Sequence, residues 1–174
     1  MRLLYSLKKQ ECIDGNYFDI QGSDFIVHEF RPTLFNCYLH GENRNIKTFL
    51  ARMFFQTVTF GKSKIFYVTN DDDKIMHTSY VIPGCFKFPF MQKGDYEIGP
   101  CFTYPEFRGK GIYPRMLRYI CANVGNERTI FFMIVSRNNI SSIRGIEKAG
   151  FNKFGFVEKS RILKRYLLKQ DYSD

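Results

Sequence analysis

The chain has 174 residues, carries 26 Lys+Arg against 17 Asp+Glu for a net charge of +9, and is 44% apolar. That length suits one domain, residues 1–174, with its own core, and no apolar run reaches the roughly 18 residues a membrane span needs. Five scattered cysteines without a CxxC pair (Cys12, Cys37, Cys85, Cys101, Cys121), three dispersed histidines (His28, His40, His77) and an N-terminus without a signal-cleavage pattern argue against a disulfide framework, a metal site or secretion, so a cytoplasmic protein is expected.

In chain order, Arg2–Lys8 and Asp24–Phe30 read as strands, separated by the turn-formers DGN and QGSD. Ile46–Phe60 has apolar residues at helical spacing. Lys64–Thr69 and Lys74–Ile82 read as a hairpin turning at Asn70–Asp73. Pro83–Gly94 is too broken by Pro and Gly for regular structure. Tyr96–Thr103 is a strand that Gly99–Pro100 should kink, because Pro has no N–H to donate and Gly favours bulges. Its alternation puts Glu97 on one face with Gly99, Cys101 and Thr103. A helix begins near Gly111 or Ile112, with Pro114 tolerated in its first turn and Gly125 as its stop. Thr129–Val135 is continuously apolar, the pattern of a strand buried on both faces. Asn139–Ala149 reads as a helix, and Phe154–Lys159 and Ile162–Leu168 as closing strands. The fold class is therefore mixed α/β (α+β).

Charge is unevenly spread. Residues 104–169 hold fourteen of the basic and four of the acidic residues, whereas the rest of the chain is nearly balanced. Such a half attracts a polyanion, whether nucleic acid, a membrane surface or a phosphorylated cofactor. Within it, Arg108–Gly109–Lys110–Gly111–Ile112 joins a strand to a helix N-terminus. The free N–H groups of that end, two glycines and two cations suit a phosphate. The GxxxxGK[ST] and GxGxxG spacings are absent. By itself the segment is also readable as a tight basic turn.

The stretch EIGPCFTYPEFRGKGIYPRML (residues 97–117) resembles the coenzyme A loop of Gcn5-related N-acetyltransferases, with Arg108 and Gly111 on its Q/R-x-x-G-x-G/A signature and Tyr113 in place of the final G/A. VSRNNISSIRGIEKAGF (residues 135–151) is similar to that family's second motif. The resemblance covers residues 46–168 and leaves 1–45 unexplained.

It implies a mostly antiparallel central sheet with one splayed parallel strand pair, flanked by helices, and acetyl-CoA as co-substrate. It implies cofactor contacts from Cys101, Phe102, Thr103, Arg108, Gly109, Lys110, Gly111, Ile112, Tyr113, Asn138 or Asn139, and Ser142. A backbone N–H of Cys101 or Phe102 would meet the thioester carbonyl. Glu97 is the first choice of base and His77 the second, its ordinary pKa suiting the task. The family's helix Tyr is Ile146 here, so Tyr113 or Tyr104 is left as the proton donor. Cys101 reads as a strand thiol rather than a nucleophile.

The expected acceptor is a small primary amine, an amino sugar or nucleotide-linked amino sugar, as in bacterial members tied to surface-polysaccharide synthesis. A protein amine and a non-enzymatic coenzyme A- or nucleic-acid-binding module are the alternatives. No nucleic-acid motif is present, so no nucleic-acid partner is expected, and a homodimer is left open.

Overall fold

The computed structural model describes residues 1–13, 26–42 and 44–169. The turn-formers DGN and QGSD, with Asp24 and Phe25, lie outside them. The elements are β1 (Arg2–Lys8), α1 (Lys9–Ile13), β2 (Ile26–Phe30), α2 (Ile46–Val58), β3 (Lys64–Thr69), β4 (Ile75–Pro83), β5 (Tyr96–Thr103), α3 (Ile112–Asn123), β6 (Ile130–Val135), α4 (Ile140–Lys148), β7 (Asn152–Lys159) and β8 (Tyr166–Lys169). The strands form one sheet in the order β2-β3-β4-β5-β6-β1-β7-β8. Every neighbouring pair is antiparallel except β5–β6. The result is a mixed α/β fold with a mostly antiparallel central sheet and flanking helices.

Alternation along β6 shows how the sheet divides two cores. Phe131, Met133 and Val135 face a cluster built with Met116, Leu117 and Ile120 of α3 and Ile146 of α4. Ile130, Phe132 and Ile134 face a second cluster with Ile82, Phe88, Val157 and Tyr166, against which Phe55 of α2 rests. A strand covered on both faces has no need of polar residues, hence its continuous apolar run.

Residues 1–45, which no motif covers, supply β1 to the sheet interior, between β6 and β7. Lys9, just after β1, donates from Nζ to the carbonyls of Val124 (2.9 Å) and Gly125 (3.3 Å). A cation thus closes the C-terminal end of α3, where the helix dipole favours it.

Among the described residues three boundaries differ from the sequence reading by more than one residue. The second helix stops at Val58, and Thr59 closes it while Phe60 is exposed. The penultimate strand begins earlier, at Asn152. Residues 160–165 form a turn rather than a strand, closed by Ser160 N–H to the Arg165 carbonyl, with Ile162 and Leu163 exposed.

Helix α2 is anchored by a buried cation. Arg52 is 3% exposed and forks onto Glu42 at 2.7 and 3.0 Å. It also donates to the Cys37 carbonyl and the Tyr80 hydroxyl. Removing one member of such a pair leaves its partner's charge underground without compensation. Arg52→Met is expected to lower the unfolding free energy by about 3 kcal/mol. Urea unfolding checks this, with the midpoint falling and the slope unchanged; Glu42→Gln should cost at least as much, because the charge it leaves unpaired, Arg52, is the buried one, whereas Glu42 reaches solvent.

Candidate functional site: a gap between β5 and β6

The parallel pair is pinned at one end and opens at the other. Asp95, buried just before β5, accepts from the N–H of Ile130, and Thr129 donates to the Gly94 carbonyl. Pairing then runs through Tyr96–Phe131 and Glu97–Phe132 and stops. Beyond it, Ile98 opposes Val81 and Cys101 opposes Ser79, so Gly99 and Pro100 together stand against Tyr80 alone. This is the expected kink: an extra residue on β5, with a proline that has no N–H for either neighbour.

The extra residue also corrects the alternation read from sequence. Ile98 and Cys101, three apart, lie on the same side as α3. Glu97 points to the other side, opposite Ile82. Glu97 therefore does not share a face with Cys101 and Thr103. The pleat shifts phase where two residues do the work of one.

A cavity lies on each side of the gap. The first, of ≈520 Å³, is bordered by the end of β5, the Arg108–Gly111 loop and the start of α4. The second, of ≈420 Å³, is bordered by Glu97, Gly99 and Pro100, and reaches Arg2, Lys87 and Tyr166. Cys101, Tyr113, Asn139 and Ser142 border both, so the two cavities meet at the gap.

The first cavity holds most of the residues expected at a cofactor. Gly109 and Gly111 have φ of +79° and +72°, and a Cβ on either would meet open space. Their role is thus conformational: they turn the chain left-handed just before α3. No side chain caps that helix, and Pro114 brings no N–H to its first turn. Gly111, Ile112 and Tyr113 line the cavity, and an uncapped helix end there suits an anion. Arg108 lines it, its Nε donating to the Thr103 carbonyl at 3.1 Å. Lys110 does not line it; its Nζ sits 5.5 Å from the Phe107 ring. Asn139 caps α4 by accepting from the Ser142 N–H, which leaves its Nδ2 to donate elsewhere. Asn138 borders neither cavity, so of the two asparagines Asn139 is the one at the gap.

The expected catalytic residues fall in different places. Glu97 is 7% exposed, and burial pushes its carboxyl up to about 8, against the opposing charge of Lys87. Gly99 makes room for it, since a Cβ there would come within 2.7 Å of Glu97 Oε1. His77 is fully buried on the α3 side, between Thr103 Oγ1 and Ser79 Oγ, each at 2.7 Å. Ser79 gives its single hydroxyl proton to Cys101 Sγ at 3.2 Å. It must then accept from His77 Nε2–H, and Thr103 must donate to Nδ1. Both ring nitrogens are taken, and burial lowers the His77 pKa to about 4, so it is a neutral link in a chain of hydroxyls. Burial likewise pushes the Cys101 thiol up to about 12, which keeps it protonated.

Tyr113 occupies the passage. A Cβ on Gly145 would strike its ring at 2.5 Å, so α4 carries a glycine where the ring crosses it. Burial raises the phenol's pKa strongly. Tyr104 borders neither cavity, and Ile146, buried in the core, forms part of the wall of the second. Gly145, Arg2 and Tyr166 were not foreseen. Arg2 and Tyr166 come from opposite ends of the chain, and nothing in their local sequence links them.

Two buried groups give the fold opposite pH slopes. Folded His77 refuses a proton that the unfolded chain binds, so its stability contribution is lost as pH falls from about 6.5 to about 4. Folded Glu97 keeps a proton that the unfolded chain releases, so stability is lost as pH rises from about 4.5 to about 8. Thermal midpoints against pH should therefore flatten on the alkaline side in Glu97→Gln and on the acid side in His77→Gln.

No family model and no curated protein matches the chain by sequence. Solved structures do match it in shape. A Drosophila protein is matched at a TM-score of 0.56 and 11% identity over 87% of this chain and 47% of that one. A functionally unknown conserved protein from Staphylococcus epidermidis is matched at 0.54 and 11% over 87% and 57%. A third, from Novosphingobium aromaticivorans and described as a GNAT-family acetyltransferase, is matched at 0.49 and 16% over 88% and 61%. The chain thus spans about half to three-fifths of the structures it matches, and at these identities the likeness concerns the fold alone.

Proposed function

We propose that the protein is an acetyl-CoA-dependent N-acetyltransferase acting on the primary amine of a small molecule. The observation that carries this reading is the pair of cavities joined through the β5–β6 gap, with an anion-suited loop on one side and a buried carboxyl on the other. A donor and an acceptor approaching from opposite faces would meet at Cys101, Tyr113 and Asn139. The sequence resemblance assigns the loop side to coenzyme A, and the residues there fit it: two left-handed glycines, an uncapped helix end and Arg108.

Bound acetyl-CoA supplies an activated acetyl thioester, and the protein's own groups do the rest. The N–H groups at the start of α3 and Arg108 hold the pyrophosphate. Asn139 Nδ2 and the Ser142 hydroxyl serve the pantetheine arm. Glu97 takes the proton of the incoming ammonium, and a carboxyl titrating near 8 is close to ideal for a base at neutral pH. As the C–N bond would form and the C–S bond break, sulfur would leave with the electron pair and nitrogen would lose its second proton to solvent, which protonates the thiolate in turn. Tyr113, which holds its proton and lines both cavities, would be the hydrogen-bond donor to that sulfur. The acceptor class we favour is an amino sugar, received beneath the aromatic and basic 84–94 loop.

Calorimetric titration with acetyl-CoA tests the cofactor. One site per chain is expected, and Gly111→Val should weaken it about tenfold, because a β-branched residue resists the left-handed backbone. Thiol release with glucosamine as first acceptor tests the chemistry. Glu97→Gln should cost roughly 10²–10⁴ in kcat with acetyl-CoA affinity retained, and the rising limb near pH 8 should disappear. Tyr113→Phe should cost about tenfold in kcat. Absence of acetyl-CoA binding in the wild-type protein would refute the reading.

A further inference from the structure

The second cavity carries a charge pattern that amine transfer alone does not require. Arg2, Lys87 and Lys159 surround one ring, that of Tyr166, at 6.0, 5.9 and 6.0 Å from its centroid. Arg2 and Lys87 line the cavity. Lys87 is half-buried, with its Nζ also 4.5 Å from the Phe55 ring and 5.6 Å from Phe88. Among the described residues none of the three makes a salt bridge. The neighbouring carboxylate, Glu158, is taken by Lys169 at 3.2 Å. Glu97 acts on Lys87 through its charge but makes no ion pair with it.

Three cations from β1, the 84–94 loop and β7 repel one another here, and among the described residues none is ion-paired to a carboxylate. The aromatic faces offset part of that cost. Among the described residues no full counter-charge is paired with them, and the cavity is where one can enter. Arg2 sits on β1, two strand spacings or on the order of 10 Å from the backbone of β5. A small molecule spans that distance.

We propose that this cluster binds an anionic group on the acceptor, so that the substrate is an amine bearing a phosphate or carboxylate at its far end. The proposal rests on reading the Glu97 cavity as the acceptor site. Arg2 and Lys87 hold the anion, Tyr166 and Phe88 flank the carbon skeleton, and the amine is left facing Glu97 at the gap.

Matched amines test it: O-phosphoethanolamine against ethanolamine, glucosamine 6-phosphate against glucosamine, and β-alanine against propylamine. At least one charged member should be preferred about tenfold or more in kcat/KM, the discrimination one charge-assisted contact provides. The preferred pair tells phosphate from carboxylate. Lys87→Met, which keeps the aliphatic stem, and the exposed Arg2→Gln should each raise KM for the charged amine and bring the ratio towards one. Equal use of charged and neutral amines would overturn the proposal, as would acetylation of Lys87 itself found by mass spectrometry. If no amine is acetylated, calorimetry with the same charged amines still decides. Binding that is lost in Lys87→Met upholds the anion site and refutes acetyl transfer, whereas no binding refutes the anion site as well.

Discussion

Everything proposed for this protein depends on two adjacent strands parting company. β5 and β6 are held together by Asp95, Thr129 and two paired residues, then separate where Gly99 and Pro100 enter. Had the ladder continued, the sheet would be closed and the two cavities would not communicate. One inserted residue therefore does three things: it ends the pairing, turns Glu97 away from Cys101, and leaves space at Gly99 for the Glu97 carboxyl. A local backbone irregularity is converted into a passage through the sheet.

The electrostatics of the two sides follow from how each is walled. On the α3 side, a buried histidine is satisfied at both nitrogens by hydroxyls, so it stays neutral and holds β4 to β5. On the other side a carboxyl is buried without a direct ion pair, so it holds its proton to an unusually high pH. Burial is the same in both places; the difference lies in whether the neutral form has partners. That is why the imidazole reads as structure and the carboxyl as chemistry.

Much of the architecture was legible in local pattern. The hairpin of β3 and β4, the strand bounds of β5, the entry of α3 after Gly111 and the doubly buried β6 all follow from periodicity and from Gly and Pro positions. The failures have equally local causes. Ile162 and Leu163 look like strand residues, yet the Ser160–Arg165 turn puts them in solvent, and apolar character alone cannot tell an exposed turn from a strand. The alternation of Glu97 failed because a bulge is invisible to a period-two count, although Gly99–Pro100 marked its place. The substitution of Ile146 was visible and Tyr113 was one of two alternatives to it, but the crossing of Tyr113 over Gly145 was not, being a contact between residues 32 positions apart.

The sequence by itself determined the anion-suited loop, because Gly109, Gly111 and the helix start are consecutive and their backbone preferences are local. It also determined that β5 must be irregular, since a proline cannot complete a ladder wherever the chain goes. Only the tertiary structure decided what the irregularity opens onto. It placed β1 beside β6, brought Arg2 and Lys159 to the ring of Tyr166, and set Lys87 above it. Those residues come from both ends of the chain and one loop, and their meeting is a property of strand order, which no short-range pattern encodes.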